Sequence, residues 1–269
     1  MLERVKETTA YIQSKVSISP EVGIILGTGL GGLAKDIVDQ EILDYGSIPN
    51  FPVSTVEGHQ GRLIFGNLGG KRVVAMQGRF HFYEGYDIKE VTFPVRVMKY
   101  LGIKHLFVSN ASGGVNPNFE IGDLMIINDH INLIPNPLIG PNNSEFGPRF
   151  PDMSQTYDHK LIALAQEIAK KNGIATQVGC YVGTTGPTFE TPKEYQYFRI
   201  IGGDTVGMST TPEVIVARQM GIPVFAISII TDLGVLGKIV EVTHEEVQRI
   251  GMQAEKKMTL IMEEMLQRI

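Results

Sequence analysis

Three polar side chains alternate along a short segment that directly follows a predicted strand. Arg79, His81 and Tyr83 occupy every second position, so an extended segment would point them to one side and Phe80 and Phe82 to the other. A guanidinium fork can bind two oxygens of an oxyanion, and an imidazole can donate a third hydrogen bond. Ligands of open α/β sheets bind at the carboxyl ends of strands, so this position favours an anion site. The alternative is an edge strand with a polar face toward solvent.

A glycine-rich loop at residues 27–32 follows the predicted strand 22–26 and satisfies the pattern G-x-G-x-x-G. In a dinucleotide-binding fold the loop opens a helix, and a second strand ends in an acid about 20 residues later. No hydrophobic strand ending in an acid is expected there. The hypothesis of a dinucleotide-binding oxidoreductase therefore depends on the glycine-rich loop alone. The backbone N–H groups and the Thr28 hydroxyl can instead bind an anion, or the loop can be a plain tight turn.

Two further loops follow predicted strands and could contact a ligand. Residues 110–114 are rich in small side chains, which let backbone amides approach a ligand closely. Glu190 stands beside Phe189 and just before the helix cap at Thr191. A helix N-terminus stabilises an ionised carboxylate, so Glu190 could be a fixed acceptor. The alternative is a helix-start charge with no ligand.

Two other strand ends combine polar and apolar side chains. Met208 could pack on a flat ring or a sugar, and the neighbouring Ser209 could hydrogen-bond an anion. Thr231 and Asp232 end the most apolar predicted strand, a pattern typical of an active-site rim. A simple transition from strand to loop would give the same pattern.

Strand-like and helix-like segments alternate along the chain. Strands are predicted at 22–26, 73–76, 105–109, 124–128, 178–182 and 224–230, because these runs are short and rich in β-branched residues. Helices are predicted at 91–101, 160–172, 192–201 and 212–220, and a last helix runs from a capping box at Thr243 to about Arg268. The pattern predicts one α/β domain over residues 1–269, with a large mixed sheet surrounded by helices.

The composition excludes several classes of protein. The 269 residues carry a net charge of −5, with 43% hydrophobic and 20% charged residues, which is ordinary for a globular chain. A pI near 5.7 without a basic block argues against nucleic acid as a partner. The longest apolar run is too short to span a membrane and no signal peptide is evident, so we expect a cytoplasmic protein.

No metal or covalent nucleophile is expected. Cys180 is the single cysteine, and none of the six histidines is paired at a metal-ligand spacing. No G-x-S-x-G elbow is present either. The segment 134–154 is rich in proline, asparagine and glycine. A loop of this length is usually functional or packs against something outside its own subunit.

At these residues the chain resembles the trimeric purine nucleoside phosphorylases, the family that also contains methylthioadenosine phosphorylase. The matching stretches are ILGTGLG (25–31), GHQGRL (58–63), QGRFHFYEGY (77–86), NASGG (110–114), DHIN (129–132), GPTFET (186–191), VGMST (206–210) and HEEV (244–247). The resemblance implies a pentosyl transfer in purine salvage: phosphate reversibly cleaves a purine ribo- or deoxyribonucleoside to the free base and the sugar 1-phosphate. Phosphate would be a co-substrate, and no cofactor would be needed.

The resemblance also implies a role for each site residue. The residues expected to hold phosphate are Thr28, His59, Arg79, His81, the Ala111 amide and Ser209. Those expected to contact the nucleoside are Tyr83, Phe150, Phe189, Glu190, Met208, Thr231, Asp232 and His244. Catalysis would rest on His81, Glu190 and Asp232. Phe150 would reach the active site of a neighbouring subunit in a homotrimer.

One position departs from the family pattern and leaves the base preference open. Members specific for 6-oxopurines usually have asparagine where this chain has Asp232, whereas the methylthioadenosine-cleaving relatives have aspartate. Glu190 suits the N1–H of hypoxanthine or guanine, and His244 suits a free 5′-hydroxyl. We therefore expect inosine and guanosine as substrates, with Asp232 protonated and Glu190 ionised. Adenosine or methylthioadenosine is the alternative.

Overall fold

The computed structural model describes residues 1–28, 30–53, 55 and 60–269. The strands are β1 Val22–Leu26, β2 Val38–Asp44, β3 Arg62–Leu68, β4 Lys71–Gln77, β5 His105–Gly114, β6 Leu124–Asn132, β7 Thr176–Gly183, β8 Thr205–Gly207 and β9 Val224–Leu233. Within the described residues they form one mixed sheet in the order β2-β3-β4-β1-β5-β8-β7-β6-β9.

Part of this sheet closes on itself. β9 pairs with β6 on one side and with β5 on the other, so β5, β8, β7, β6 and β9 form a closed cycle. β1 is parallel to β4 and to β5, and β9 is parallel to β5. The carboxyl ends of β1, β4, β5 and β9 therefore lie at the same edge. The predicted α/β domain with a large mixed sheet is confirmed.

Continuous aliphatic runs mark the strands at the centre of the sheet. All five residues of β1 and all ten of β9 are buried, as expected for strands covered on both faces. Every predicted strand is present, but β5 and β6 continue several residues beyond the predicted ends. β2 and β3 were not predicted, and β8 has only three residues.

The edge strand β2 lies where a dinucleotide-binding fold would have its second strand. It ends in Asp44, so a strand that ends in an acid does follow the glycine-rich loop. However, β2 is antiparallel to β3, lies at the edge of the sheet and is largely exposed. A dinucleotide-binding fold needs a parallel strand beside the first one. The acid at Asp44 therefore gives no support to an oxidoreductase.

Helices cover the sheet, and four of the seven in the described residues begin within one residue of a predicted start. They are α1 Leu2–Lys15, α2 Ile88–Val91, α3 Phe93–Leu101, α4 His159–Lys171, α5 Pro192–Ile200, α6 Thr211–Gln219 and α7 His244–Leu266. The predicted helix 91–101 is divided at Thr92 into α2 and α3, and α1 was not predicted. The capping box of α5 is present, with Thr191 and Glu194 bonded reciprocally. No helix of the described part is long and apolar enough to cross a membrane.

Two local features set the backbone at the carboxyl edge of the sheet. In the β5–β9 pair Ser112 faces Ile230 and Gly113 faces Asp232, so Thr231 is the extra residue of a β-bulge. The bulge changes the direction in which Asp232 leaves the strand. Gly27, directly after β1, allows a close approach to β5, because a Cβ there would lie 2.8 Å from the Ser109 carbonyl oxygen.

Candidate active site

A cavity of about 470 Å³ opens at the edge where β1, β4, β5 and β9 end. It brings together most residues predicted for the site: Thr28, Arg79, His81, Tyr83, Ala111, Phe189, Glu190, Met208, Ser209, Thr231, Asp232 and His244. Two predicted residues are not placed there. Phe150 lies elsewhere on the surface, with 87% of the residue exposed, and His59 lies outside the described residues.

Arg79 is the buried cation of this cavity. Only 1% of the residue is exposed. Its Nη1 donates to the Ser109 carbonyl oxygen at 2.9 Å and to Ser209 Oγ at 3.1 Å. Its Nε donates to Glu213 Oε1 at 3.1 Å. Glu213 was not predicted, because it lies inside α6 and meets Arg79 only through the fold.

Ser209 is presented by a strained turn between β8 and α6. The backbone of Thr210 has φ +70° and ψ −55°, and the Thr211 N–H donates to the Ser209 carbonyl at 2.8 Å. These values describe a γ-turn of the rare form, which is costly for a β-branched residue. The fully buried Thr210 is held there by the Asn110 side-chain amide, whose Nδ2 donates to Thr210 Oγ1 at 2.9 Å. Strain kept in this way is typical of functional sites.

A chain of buried polar side chains continues from Asn110 through the sheet. Ser228 Oγ donates to Asn110 Oδ1 at 2.6 Å, and Ser228 and Ser112 share a hydrogen bond of 2.5 Å. Thr205 Oγ1 donates to Ser112 Oγ at 2.5 Å. These residues come from β5, β8 and β9, so the turn that carries Ser209 is anchored to all three strands.

His81 forms an ionic hydrogen bond with Glu84. His81 Nδ1 lies 3.1 Å from Glu84 Oε1, and the Thr55 backbone and hydroxyl donate to Glu84 Oε2. Burial opposes ionisation of Glu84, but the hydrogen bonds from His81 and Thr55 outweigh it and lower its pKa to about 2. An ionised carboxylate accepts only, so Nδ1 carries the imidazole proton.

Burial, with a contribution from the nearby Arg79 cation, lowers the pKa of His81. His81 is therefore neutral at pH 7 in the free protein, and its Nε2 is unprotonated. The prediction that His81 donates to an anion holds only after the imidazole gains a proton. The ring stacks on Tyr83, with centroids 4.7 Å apart and an angle of 15°.

Asp232 receives hydrogen bonds from two hydroxyl groups of the cavity wall. Thr231 Oγ1 lies 3.0 Å from Oδ1, and the Tyr195 hydroxyl donates to Oδ2 at 3.2 Å. Gly113 makes room for this carboxylate, because a Cβ there would lie 2.7 Å from Oδ2. Tyr195 was not predicted as part of the site. It lies one turn inside α5, and only the fold brings it to the end of β9.

The two carboxylates of the cavity compete for a proton. Burial raises the pKa of Asp232. Burial and the neighbouring Asp232 charge raise the pKa of Glu190 to about 7. Hydroxyl donors favour the ionised form of a carboxylate: two of them bond to Asp232, and Thr184 Oγ1 lies 3.4 Å from Glu190 Oε1. Burial and the mutual repulsion of the two charges favour a pair that holds one proton. That the proton lies on Asp232 beside an ionised Glu190 stays a prediction.

No group of three or more histidine, cysteine, aspartate or glutamate residues in the described ranges is arranged to hold a metal ion. Cys180 is half-buried on β7, and burial raises the pKa of its thiol to about 12. A thiol of that pKa is a poor nucleophile at neutral pH.

Comparison with known proteins supports the chemistry that the cavity suggests. The family model described as the phosphorylase superfamily matches residues 21–267. Purine nucleoside phosphorylase 1 of Bacillus subtilis is 53% identical over 253 residues, covering 93% of each chain. The Schistosoma mansoni purine nucleoside phosphorylase structure with adenosine has a TM-score of 0.95 and 46% identity, covering 99% of this chain and 97% of that one.

A second Schistosoma mansoni structure, of the enzyme with inosine, has a TM-score of 0.94 at 45% identity and covers 99% of this chain and 96% of that one. The sequence identity to each of these relatives is far higher than a shared fold alone would give. The chain belongs to the phosphorylase superfamily and, within it, to the purine nucleoside phosphorylases.

Proposed function

We propose that this phosphorylase cleaves inosine and guanosine, or their deoxy forms, with inorganic phosphate, and releases the base and the sugar 1-phosphate. The observation that carries the proposal is that one cavity holds both the Arg79–Ser209 pair and the Glu190–Asp232 pair. The first pair suits an oxyanion and the second suits the polar edge of a purine.

The phosphate half would act on the charge that builds on the sugar. Cleavage of a glycosidic bond produces an oxocarbenium-like ribose, which an anion beside the ring stabilises. Arg79 would supply the cation for that anion, and Thr28, Ser209 and the Ala111 amide would supply neutral donors. His81 would join them on protonation, since a phosphate anion nearby favours the imidazolium form.

The base half would stabilise the charge that builds on the leaving purine. Ionised Glu190 would accept N1–H of a 6-oxopurine, and Asp232 would lie beside N7 and the 6-substituent. Phe189 lines the cavity with 43% of its surface exposed, so its ring is available to the base. Hydrogen bonds that strengthen as negative charge develops lower the barrier selectively.

The sugar would contact Tyr83, Met208 and His244, which all line the cavity. His244 and Gln248 share a hydrogen bond of 3.0 Å at the start of α7, which would fix the imidazole beside a polar 5′-hydroxyl. The exposed Phe150 would complete the sugar pocket of an adjacent subunit in a homotrimer. Phe150 lies on the loop 134–154, and a loop of this length is usually functional or packs against something outside its own subunit.

We further propose that the enzyme needs no metal or cofactor and acts in purine salvage in the cytoplasm. The reaction consumes only nucleoside and phosphate, and the two halves of the cavity provide for both charges.

The decisive experiment follows base release from inosine, adenosine and methylthioadenosine with and without phosphate. We expect phosphate-dependent cleavage of inosine and formation of ribose 1-phosphate. Release of base at the same rate without phosphate would refute the proposal. Preferred cleavage of methylthioadenosine would contradict the assignment of His244 to a free 5′-hydroxyl.

A further inference from the structure

The phenol of Tyr195 is built into the wall behind the base half of the cavity. Only 3% of the residue is exposed. Its ring fills space left by Gly234, since a Cβ there would lie 2.2 Å from Tyr195 Cδ1. Its hydroxyl donates to Asp232 Oδ2 at 3.2 Å. The position of this hydroxyl is thus fixed by packing as well as by its hydrogen bond.

Tyr195 faces both carboxylates of the base half. Burial is the main cause of its raised pKa, and Asp232 and Glu190 raise it further through their charges and through hydrogen bonding. A hydroxyl between two carboxylates can donate to whichever one is ionised. The geometry shows a hydrogen bond of 3.2 Å from this hydroxyl to Asp232.

Thr231 supplies a second hydroxyl that can point either way. Its Oγ1 lies 3.0 Å from Asp232 Oδ1 and 3.3 Å from the Ser112 carbonyl oxygen. A hydroxyl has one proton to donate. It donates to Asp232 when that carboxylate is ionised, and to the Ser112 carbonyl when Asp232 is protonated. The wall therefore accommodates both states of Asp232 without moving a backbone atom.

We propose that Tyr195 is a specificity-determining residue, which allows one proton to reside on either Glu190 or Asp232 and so lets the cavity accept both 6-oxo- and 6-aminopurine nucleosides. This inference rests on the function proposed above.

The two protonation states match two different base edges. A 6-oxopurine presents N1–H as a donor and O6 and N7 as acceptors, so it pairs with ionised Glu190 and protonated Asp232. Adenine presents N1 as an acceptor and N6–H as a donor, so it pairs with protonated Glu190 and ionised Asp232. The pair holds one proton in each case, and no proton is gained from or lost to solvent.

Other acidic groups favour keeping one proton on the pair. Glu246 of α7 faces Asp232, and Glu194 of α5 faces Glu190. Both add negative charge near the carboxylates, although Glu246 also pairs with Arg249 at 3.4 Å. Cleavage of both nucleosides is therefore lost together as pH rises past the point where the pair gives up its proton.

The test compares kcat/KM for adenosine and inosine in wild type and in Tyr195→Phe. The phenylalanine keeps the ring against Gly234 and removes only the hydroxyl. The hydrogen bond that is lost stabilises the ionised form of Asp232, and adenosine binding needs that form. We expect the adenosine-to-inosine ratio of kcat/KM to fall by about tenfold, as for loss of one hydrogen bond to a charged group.

Tyr197→Phe is the matched control, because Tyr197 lies on the same helix with 51% of its surface exposed. We expect it to leave the ratio unchanged. An equal loss of both activities in Tyr195→Phe would show a merely structural role and overturn the inference.

The pH profiles of the wild-type enzyme provide a measurement that needs no variant. We expect the alkaline limbs of kcat/KM for inosine and adenosine to share one apparent pKa. Limbs that differ by a full pH unit, or a wild type that cleaves inosine but not adenosine, would overturn the inference and leave the proposed function standing. Failure to cleave either nucleoside with phosphate would overturn both.

Discussion

Replacement of Glu213 by glutamine tests whether Arg79 is the cation that receives phosphate. Both side chains are buried, at 1% and 3% residue exposure, and Arg79 Nε lies 3.1 Å from Glu213 Oε1. At that distance an effective dielectric of about 20 gives an attraction of roughly 5 kcal/mol. Glutamine keeps the hydrogen bond but removes the charge. We expect the free energy of unfolding to fall by about 3–5 kcal/mol, as for other buried pairs that lose one charge.

Phosphate should restore part of that stability. In the variant, Arg79 keeps its hydrogen bonds to Ser109 and Ser209 but no longer has the negative charge of Glu213 beside it. A bound phosphate would then neutralise the guanidinium charge of Arg79. A ligand that binds only the folded state stabilises by RT ln(1 + [L]/Kd), and tighter binding gives a larger effect. We therefore expect phosphate to raise the unfolding free energy of Glu213→Gln more than that of wild type.

The assay is urea unfolding in chloride and in phosphate at equal ionic strength. Glu120→Gln is the control, because Glu120 pairs with Lys238 at 2.9 Å on the surface, where an ion pair contributes little. This control keeps the Arg79–Glu213 pair, so it measures the stabilisation by phosphate of an unaltered site together with the general effect of phosphate as a salt. If phosphate stabilised Glu213→Gln no more than the control, Arg79 would not be the phosphate-binding cation.

Three further predictions concern other parts of the site. Arg79→Ala should reduce kcat/KM for phosphate by about 2–4 kcal/mol in transition-state stabilisation, and an unchanged phosphate saturation curve would contradict its role. Phe150→Ala should raise KM for the nucleoside without lowering stability, and sedimentation of the wild type should show a trimer; a fully active monomer would refute both. Burial and Asp232 raise the pKa of Glu190 from 4.5 to about 7, so wild type loses stability as pH rises through that range. Urea midpoints should then show Glu190→Gln gaining relative stability above pH 7 and none below about pH 4.5, whereas a pH-independent difference would argue against a shifted pKa.

Local sequence was sufficient for the features that depend on local physics. The aliphatic runs of β1 and β9 could be assigned because a strand covered on both faces must be apolar throughout. The start of α5 could be assigned because the Thr191 capping box satisfies backbone groups within four residues. Arg79, Ala111 and Asp232 could be grouped because they lie at the ends of parallel strands, whose carboxyl ends meet at one edge. Phe189 and Ser209 follow β7 and β8, which run antiparallel to β5, so only the family resemblance assigned them to the same site.

Features that depend on contacts between residues distant in the sequence could not be predicted in this way. Glu213 and Tyr195 lie within helices, and each acts on a side chain that is distant in the sequence. β2 has the polar composition of an exposed edge strand, so its residues gave no continuous apolar signal. The distribution of the proton between Glu190 and Asp232 depends on burial and on hydroxyl donors, and neither can be read from residue spacing.

The bulge at Thr231 has a consequence for how this enzyme can diverge. Side chains of a strand alternate between its two faces, so removing or adding one residue there would turn every later side chain of β9 to the opposite face. Asp232 would then leave the cavity, and the packing that supports Tyr195 would be lost with it. Under the proposed function, point substitutions after the bulge would change which base is preferred, while a change in chain length at this place would remove Asp232 from the base half of the cavity.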